Sequence, residues 1–232
     1  RLILVARNTE ALEKLAEELR RENGIEAIVL TADLSLPETP KQIVEKLSAQ
    51  KKSVDILVNN AGFGLQGAFA ELPLRRQLEM LQVNVTALTE LTGLFLPGMI
   101  ERQGGGILNV GSVAGFLPGP NMAVYYATKA YVLSFTEALA GELAGTCLTL
   151  TVLCPGPTAT NFSQVARGQK VRRIQTSKMS AEAVARCGHR AYRNGKVLAV
   201  PGLGNQFLIF LTRIMPRWVI RKGVKSFNKT KE

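Results

Sequence analysis

The feature that most constrains this chain is its rhythm. Short, unbroken apolar runs alternate with amphipathic segments of helical period. Leu2-Ile3-Leu4-Val5, Glu26 to Thr31, Val54 to Val58, Gly106 to Val110, Leu148 to Leu153 and Lys196 to Val200 read as strands. Between them, Thr9 to Arg21, Pro40 to Gln50, Leu74 to Arg102, Val124 to Leu143 and Ala181 to Tyr192 read as helices. In the first helix Leu12, Leu15, Ala16 and Leu19 share one face, and Asn23-Gly24 stops it. Continuous apolar strands belong to parallel sheets covered on both faces. The alternation therefore predicts an α/β fold, a doubly wound parallel sheet of Rossmann type, with ligands bound beyond the carboxyl ends of the strands.

The 232 residues suffice for one domain with a sizeable core. We expect that domain over residues 1–205, followed by a basic amphipathic tail over 206–232. The cysteines Cys147, Cys154 and Cys187 form no CxxC pair, and the single His189 stands at no zinc-like spacing. A disulfide framework and a metal site are thereby disfavoured, and a reducing, cytoplasmic setting is expected. His189 itself reads as a helix-surface residue. Arg1 to Ala6 is too short for a secretory signal core and runs directly into Arg7. No run reaches the roughly 20 uncharged apolar residues of a membrane span.

Chemistry is sought after each strand. Val54–Val58 is followed by Asn59-Asn60-Ala61-Gly62, whose small residues would let backbone approach a ligand, although the string also suits a plain turn. Ser112 follows the strand Gly106–Val110 and stands thirteen residues before Tyr125. Tyr125 and Lys129 are four apart on a helix and so are neighbours on one face. A free tyrosine, with a pKa of about 10, is a poor base at neutral pH. A nearby ammonium would favour the phenolate and lower that value, so the phenol could exchange a proton as a hydride moves. Ser112 can hydrogen-bond a substrate oxygen where charge develops. The bare Tyr-x-x-x-Lys pattern also arises as an ordinary surface pair. Tyr126 lies about 100° further round the helix and is expected to pack or to line the pocket. Pro155-Gly156-Pro157-Thr158-Ala159-Thr160 makes a rigid loop after the strand Leu148–Leu153.

Taken in order, Asn59-Asn60-Ala61-Gly62, Asn84, Ser112, Tyr125, Lys129 and Pro155-Gly156 resemble the short-chain dehydrogenase/reductase family over roughly residues 1 to 202. The resemblance implies an oxidoreductase that moves a hydride between a nicotinamide cofactor and a carbonyl or alcohol. It makes Tyr125 the general acid/base, Lys129 the residue that lowers its pKa and holds the nicotinamide ribose, Ser112 the carbonyl-orienting hydroxyl, and Asn84 the holder of a water in the proton relay. It places Asn59, Ala61, Gly62, Tyr125, Lys129, Pro155, Gly156, Thr158 and Thr160 against the cofactor, Thr160 at the nicotinamide amide. Asp33-Leu34 looks like the adenine-side pair. Arg7, at the end of the first strand, suits a 2′-phosphate, so NADP(H) is expected over NAD(H). Homodimers or homotetramers are common in the family. Its Thr-Gly-x-x-x-Gly-x-Gly loop and the strand before it are missing from this sequence, which suggests an N-terminally truncated chain, poorly active alone, whose second and fourth family strands are left unbridged.

Residues 206–232 carry seven basic residues against Glu232, +6 of the net +11. Phe207, Phe210, Ile214, Met215 and Trp218 lie among them, and Pro216 divides the tail into two short amphipathic helices. Such a segment suits an anionic membrane surface, a cover over the substrate pocket or a subunit contact. Nucleic-acid binding is disfavoured, since no recognition motif accompanies the charge. Phe116-Leu117-Pro118-Gly119-Pro120-Asn121-Met122, between Ser112 and Tyr125, points to a lipophilic substrate. The competing reading is a non-catalytic or membrane-peripheral scaffold on an inherited fold.

Overall fold

The first crossover shows how local sequence sets the elements. The structure, a computed structural model, describes residues 1–160, 162, 166 and 179–228. Strand β1 (Leu2–Ala6) pairs in parallel with β2 (Ala27–Thr31), Leu2 opposite Ala27 and Ala6 opposite Thr31. Helix α1 (Thr9–Asn23) connects them. The Asn8 side chain caps α1 by accepting the Ala11 amide at 3.0 Å, and Gly24 ends it in the left-handed region at φ 63°. Leu12 and Ala16 are buried but Leu15 is exposed, so the buried stripe is narrower than the apolar face of the sequence. Helix α2 (Thr39–Ala49) buries Ile43 and Leu47. These elements form one compact unit, residues 1–53.

The second unit is residues 54–232. It holds β3 (Ile56–Asn59), α3 (Leu74–Leu81), a π-helical turn (Gln82–Thr86), α4 (Ala87–Glu101), β4 (Gly106–Val110), a 3-10 turn (Val113–Phe116), α5 (Ala123–Glu142) and β5 (Thr149–Leu153). A short parallel pair follows, β6 (Thr158–Ala159) with β7 (Met179–Ser180), which the sequence reading did not anticipate. Then come α6 (Ala181–Arg193), β8 (Leu198–Ala199), α7 (Leu203–Ile214) and α8 (Arg217–Phe227). The sheet order is β3-β4-β5-β8, all parallel.

Neighbouring residues of β5 show the double winding. Val152 packs with Leu88, Val132 and Leu133 from α4 and α5. Leu153 packs with Val184 and Ala191 from α6. Successive side chains of a strand point to opposite faces, so helices cover both sides of the sheet. Each such side chain, fully buried, contributes about 1.5–3 kcal/mol. Coverage is complete at the centre only: Ile56 and Val58 of β3 are 51% and 54% exposed, and Leu2 and Val5 of β1 are also exposed. Among the described residues the β1-β2 ladder and the β3-β4-β5-β8 ladder are separate sheets.

The tail does form two helices broken at Pro216, but Val224 and Asn228 are packed into the second unit. Lys229, Lys231 and Glu232 lie outside the described residues. One expectation needs correction, that no segment is long and apolar enough to span a membrane. The run Leu74–Glu101 is continuous through the π turn, and by length and composition it is apolar enough to cross a membrane. Counting only uncharged runs missed it. The same segment supplies Met80, Ala87, Leu88, Leu91 and Met99 to the core of this fold.

Candidate active site

Lys129 and Tyr125 sit on the buried face of α5, 6% and 8% exposed. The helical spacing puts them at the carboxyl end of β4, where Lys129 Nζ donates to the Val110 carbonyl at 2.7 Å. Close passage of the Ser112–Phe116 turn makes this possible. A Cβ on Gly115 would stand 2.7 Å from the Lys129 carbonyl oxygen, a separation that real Cβ atoms do not tolerate. Ser112 caps that turn: its hydroxyl accepts the Ala114 amide at 3.1 Å and donates to the Pro155 carbonyl at 3.4 Å.

The electrostatics depart from the sequence argument. Burial pushes the Tyr125 phenol up to about 12, and the hydrogen-bonding hydroxyl of Ser112 pulls the other way without cancelling it. Burial also lowers the Lys129 ammonium to about 8. The expected depression of the tyrosine by the lysine is therefore not what this geometry gives. Desolvation exceeds the charge effect, and it acts on both partners in the direction that favours their neutral forms. Cys154, fully buried beside them, is likewise pushed up to about 12 by burial and is held as an inert thiol.

Asn84 is 1% exposed and lies in the π turn. The Phe63 N–H donates to its Oδ1 at 3.1 Å, and its Nδ2 donates to the Phe63 carbonyl at 2.9 Å and to Thr128 Oγ1 at 3.1 Å. Thr128 in turn donates to the Tyr125 carbonyl at 2.7 Å. The asparagine thus ties the loop after β3 to the helix that carries Tyr125. A π turn inserts one extra residue into a helix and re-aims a side chain, a device frequent at functional sites. Nothing in the local sequence marks it.

The Asn59-Asn60-Ala61-Gly62 loop divides in two. Asn60, Ala61 and Gly62 are exposed at the end of β3, but Asn59 turns inward. Its Nδ2 donates to Asn109 Oδ1 at 2.9 Å and to Thr92 Oγ1 at 3.3 Å, and Asn109 Nδ2 donates to Thr136 Oγ1 at 2.9 Å. Only the backbone of Asn59 is left for a ligand. Sequence reasoning missed Asn109, Thr92 and Thr136; the one available signal was an asparagine inside the apolar run Gly106–Val110.

Gly62 lies beside Lys129 of α5. A Cβ there would come 3.1 Å from Asn84 Oδ1 and 3.6 Å from Lys129 Nζ, so the missing side chain leaves a cradle beside a buried amine. A nicotinamide ribose fits this donor set: Lys129 has three N–H donors and the Val110 carbonyl takes one. On the other side, Pro155 and Gly156 are half-buried and Thr158 Oγ1 donates to the Gly156 carbonyl at 3.0 Å. A Cβ on Gly156 would collide with Asn205 of α7 at 2.4 Å, a contact the sequence gave no hint of. Thr160 is exposed, with its hydroxyl accepting the Phe162 amide at 3.3 Å.

The apolar wall is built around the phenol. Met80, Ala114, Tyr125 and Tyr126 form a buried cluster against which Leu65, Leu117, Met122, Phe162 and Val224 pack. Tyr126 meets Tyr125 edge-on at 6.0 Å, packing as its angular position required. His189 is exposed on α6.

In the first unit, Arg7 is exposed at the end of β1, its guanidinium 4.0 Å from the Asp33 carboxylate. Asp33 accepts the Ser35 amide at 2.9 Å, which holds its carboxyl below the ordinary range, with a smaller contribution from Arg7. Leu34 is half-buried beside it.

Residues 1–170 match the family model described as short chain dehydrogenase. The chain is 30% identical over 240 residues to the very-long-chain 3-oxoacyl-CoA reductase of Rattus norvegicus, covering 99% of this chain and 72% of that one. A short-chain dehydrogenase from Sphingobium yanoikuyae in complex with NADPH superposes with a TM-score of 0.79 at 26% identity, covering 99% of this chain and 87% of that one. A short-chain dehydrogenase/reductase from Burkholderia phymatum in complex with NAD gives the same TM-score and identity, covering 91% and 83%.

Proposed function

This chain belongs to the short-chain dehydrogenase/reductase family, an NAD(P)-dependent oxidoreductase family, and from that premise we propose that it reduces the carbonyl of a lipophilic substrate with NADPH. The observation that carries the reading is the placement of a buried phenol and a buried amine on one helix face, beside Ser112 and under the Gly62 cradle. When bound, the cofactor supplies the hydride. Ser112 orients the carbonyl oxygen and stabilises the charge that develops on it. Tyr125 donates its proton to that oxygen. A phenol held near 12 is fully protonated at neutral pH, and an alkoxide is a stronger base than a phenolate, so the couple suits reduction. Lys129 binds the ribose hydroxyls, and Asn84 holds the loop after β3 against α5, its Oδ1 accepting one bond from the Phe63 N–H and keeping a second lone pair for a relay water. The backbones of Asn59, Ala61, Gly62, Pro155 and Gly156, with Thr158 and Thr160, border the cofactor.

The substrate class rests on the Leu65, Leu117, Met122 and Val224 wall, and 3-oxoacyl thioesters are the first group to test because the rat relative is named for one. NADPH preference rests on Arg7, with Asp33 and Leu34 at the adenine side. Oxidation of NADPH should be seen with a long-chain 3-oxoacyl thioester or bulky ketone. Arg7→Glu should cut the NADPH to NADH preference by at least about tenfold, the order of one charge-assisted phosphate contact. In a full-length chain, no carbonyl turnover together with no NADPH binding would leave the non-catalytic scaffold as the better reading.

The outer surface of the last two helices adds a setting. Phe207, Phe210, Ile214 and Trp218 are exposed alongside Arg213, Arg217, Arg221 and Lys222, and Lys222 stands 5.3 Å over the Trp218 ring. Such a surface suits peripheral contact with anionic lipid on the cytoplasmic side of a membrane. Sedimentation with phosphatidylserine vesicles should pull down the wild type and leave Arg217→Glu/Arg221→Glu/Lys222→Glu in solution; equal pelleting refutes the contact. Assembly into a homodimer or homotetramer would use the exposed Leu78, Leu81 and Leu94 of α3 and α4.

A further inference from the structure

We propose that α8 is a wall of the substrate pocket and that Asn228, just past its carboxyl end, is the positioning residue that fixes this wall; the substrate assignment rests on the carbonyl-reducing reading above. Asn228 is 2% exposed, in a segment otherwise rich in exposed basic and apolar residues. Its Nδ2 donates to the Pro120 carbonyl at 3.0 Å and to the Tyr126 hydroxyl at 3.3 Å. Its backbone carbonyl accepts from Gln66 Nε2 at 2.9 Å and from Asn121 Nδ2 at 3.4 Å. One residue therefore joins three parts of the pocket: the loop after β3, the Ser112–Tyr125 connection and α5.

A merely adherent tail would not bury an amide. Taking such a group out of water is unfavourable unless its hydrogen bonds are remade, and here they are remade at both ends of the residue. One turn earlier Val224 packs into the cluster that holds Tyr125 and Tyr126, and its carbonyl receives the Asn228 amide at 2.9 Å. The wall is thus apolar where it meets the pocket and polar only at its anchor. A substrate part that reaches it must be hydrocarbon. Tyr126 passes the anchoring on, since its ring lies edge-on to Tyr125 and its hydroxyl is held by Asn228.

The test compares wild type with Asn228→Ala and Val224→Ala in the whole chain. Asn228→Ala should speed amide hydrogen exchange in both 217–228 and 117–122, and raise KM for a long-chain carbonyl roughly tenfold, with kcat and the NADPH Kd little changed, the order expected for losing two buried hydrogen bonds. Val224→Ala, which keeps the anchor, should leave exchange in 117–122 unchanged and shift preference toward bulkier carbonyls. Acceleration confined to 217–228, an unchanged KM, or KM and NADPH Kd rising in the same proportion would overturn the proposal. The exchange comparison needs no turnover. Inactivity of a wild type that carries the family's glycine loop would refute the carbonyl-reducing reading, and the coupling of the two segments would still decide whether Asn228 holds the wall.

Discussion

Tyr125→Phe is expected to lower carbonyl reduction by roughly 10³-fold, the range of a lost general acid, while leaving the fold and NADPH affinity nearly unchanged. The substitution is selective because the ring does the packing and the hydroxyl does the chemistry. The Tyr125 ring lies 5.2 Å from Phe162 and 6.0 Å from Tyr126, centroid to centroid, and a phenylalanine ring keeps both contacts. Removing a buried hydroxyl along with its need for partners is close to neutral for stability. Steady-state kinetics, cofactor binding and a melting curve on the same preparation check this. Retention of more than a tenth of the wild-type rate would show that another group delivers the proton.

Lys129→Met should abolish most activity and make the protein more stable. Burial drops the lysine from its ordinary value of 10.5 to about 8, so at neutral pH the folded state carries an ammonium that its surroundings disfavour. That shift corresponds to roughly 3 kcal/mol. Methionine has a similar shape and no charge, but it leaves the Val110 carbonyl without its donor, a loss of about 1 kcal/mol. A net gain on the order of 2 kcal/mol at pH 7 is expected, a rise in Tm of several degrees. The pH dependence gives the sharper check. Between about pH 8 and 10.5 the unfolded chain binds the lysine proton and the folded chain does not, so wild-type stability rises with pH through that window. Below pH 8 both states hold the proton and the penalty is constant. Tyr125 acts in the opposite direction between about 10 and 12, where the folded state keeps a proton the unfolded state has lost. That contribution is common to wild type and variant and drops out of their difference. Denaturant titrations at pH 7 and 9.5 should therefore show the advantage of Lys129→Met shrinking as pH rises. An advantage independent of pH would mean that the lysine is not buried as an ammonium. Wild-type turnover should also fall as pH passes about 8, when the ribose-holding amine loses its charge.

How much could be read beforehand depended on how local the cause was. Tyr125 and Lys129 share a face because helical period alone decides it, and the double winding followed from unbroken apolar strands. The direction of the tyrosine shift was misread because it depends on desolvation, which is set by Met80, Ala114, Phe162 and Val224 arriving from distant parts of the chain. The π turn around Asn84 has no local marker, since it is a change in helical hydrogen bonding within an ordinary sequence. Asn228 looked like one more polar residue in a basic tail; its burial depends on partners more than a hundred residues away at Pro120, Asn121, Tyr126 and Gln66. The tail itself was legible as two helices, and a cover over the substrate pocket was one of its three readings; the anchoring through Asn228 was not.

The buried asparagine pair beneath the site has a consequence for alignment. Asn59 and Asn109 are register partners in the β3-β4 ladder, and their side chains bond each other and then Thr92 and Thr136. Sliding β3 by one residue would set Asn59 against an aliphatic neighbour and strand two amides in the interior, so misaligned pairings are selected against as the sheet forms. Both strands end within a few residues of this pair, one leading to Gly62 and the other to Ser112. The amides therefore act as a gauge block: they fix how far each loop projects past the sheet, and so the gap in which a carbonyl must fit.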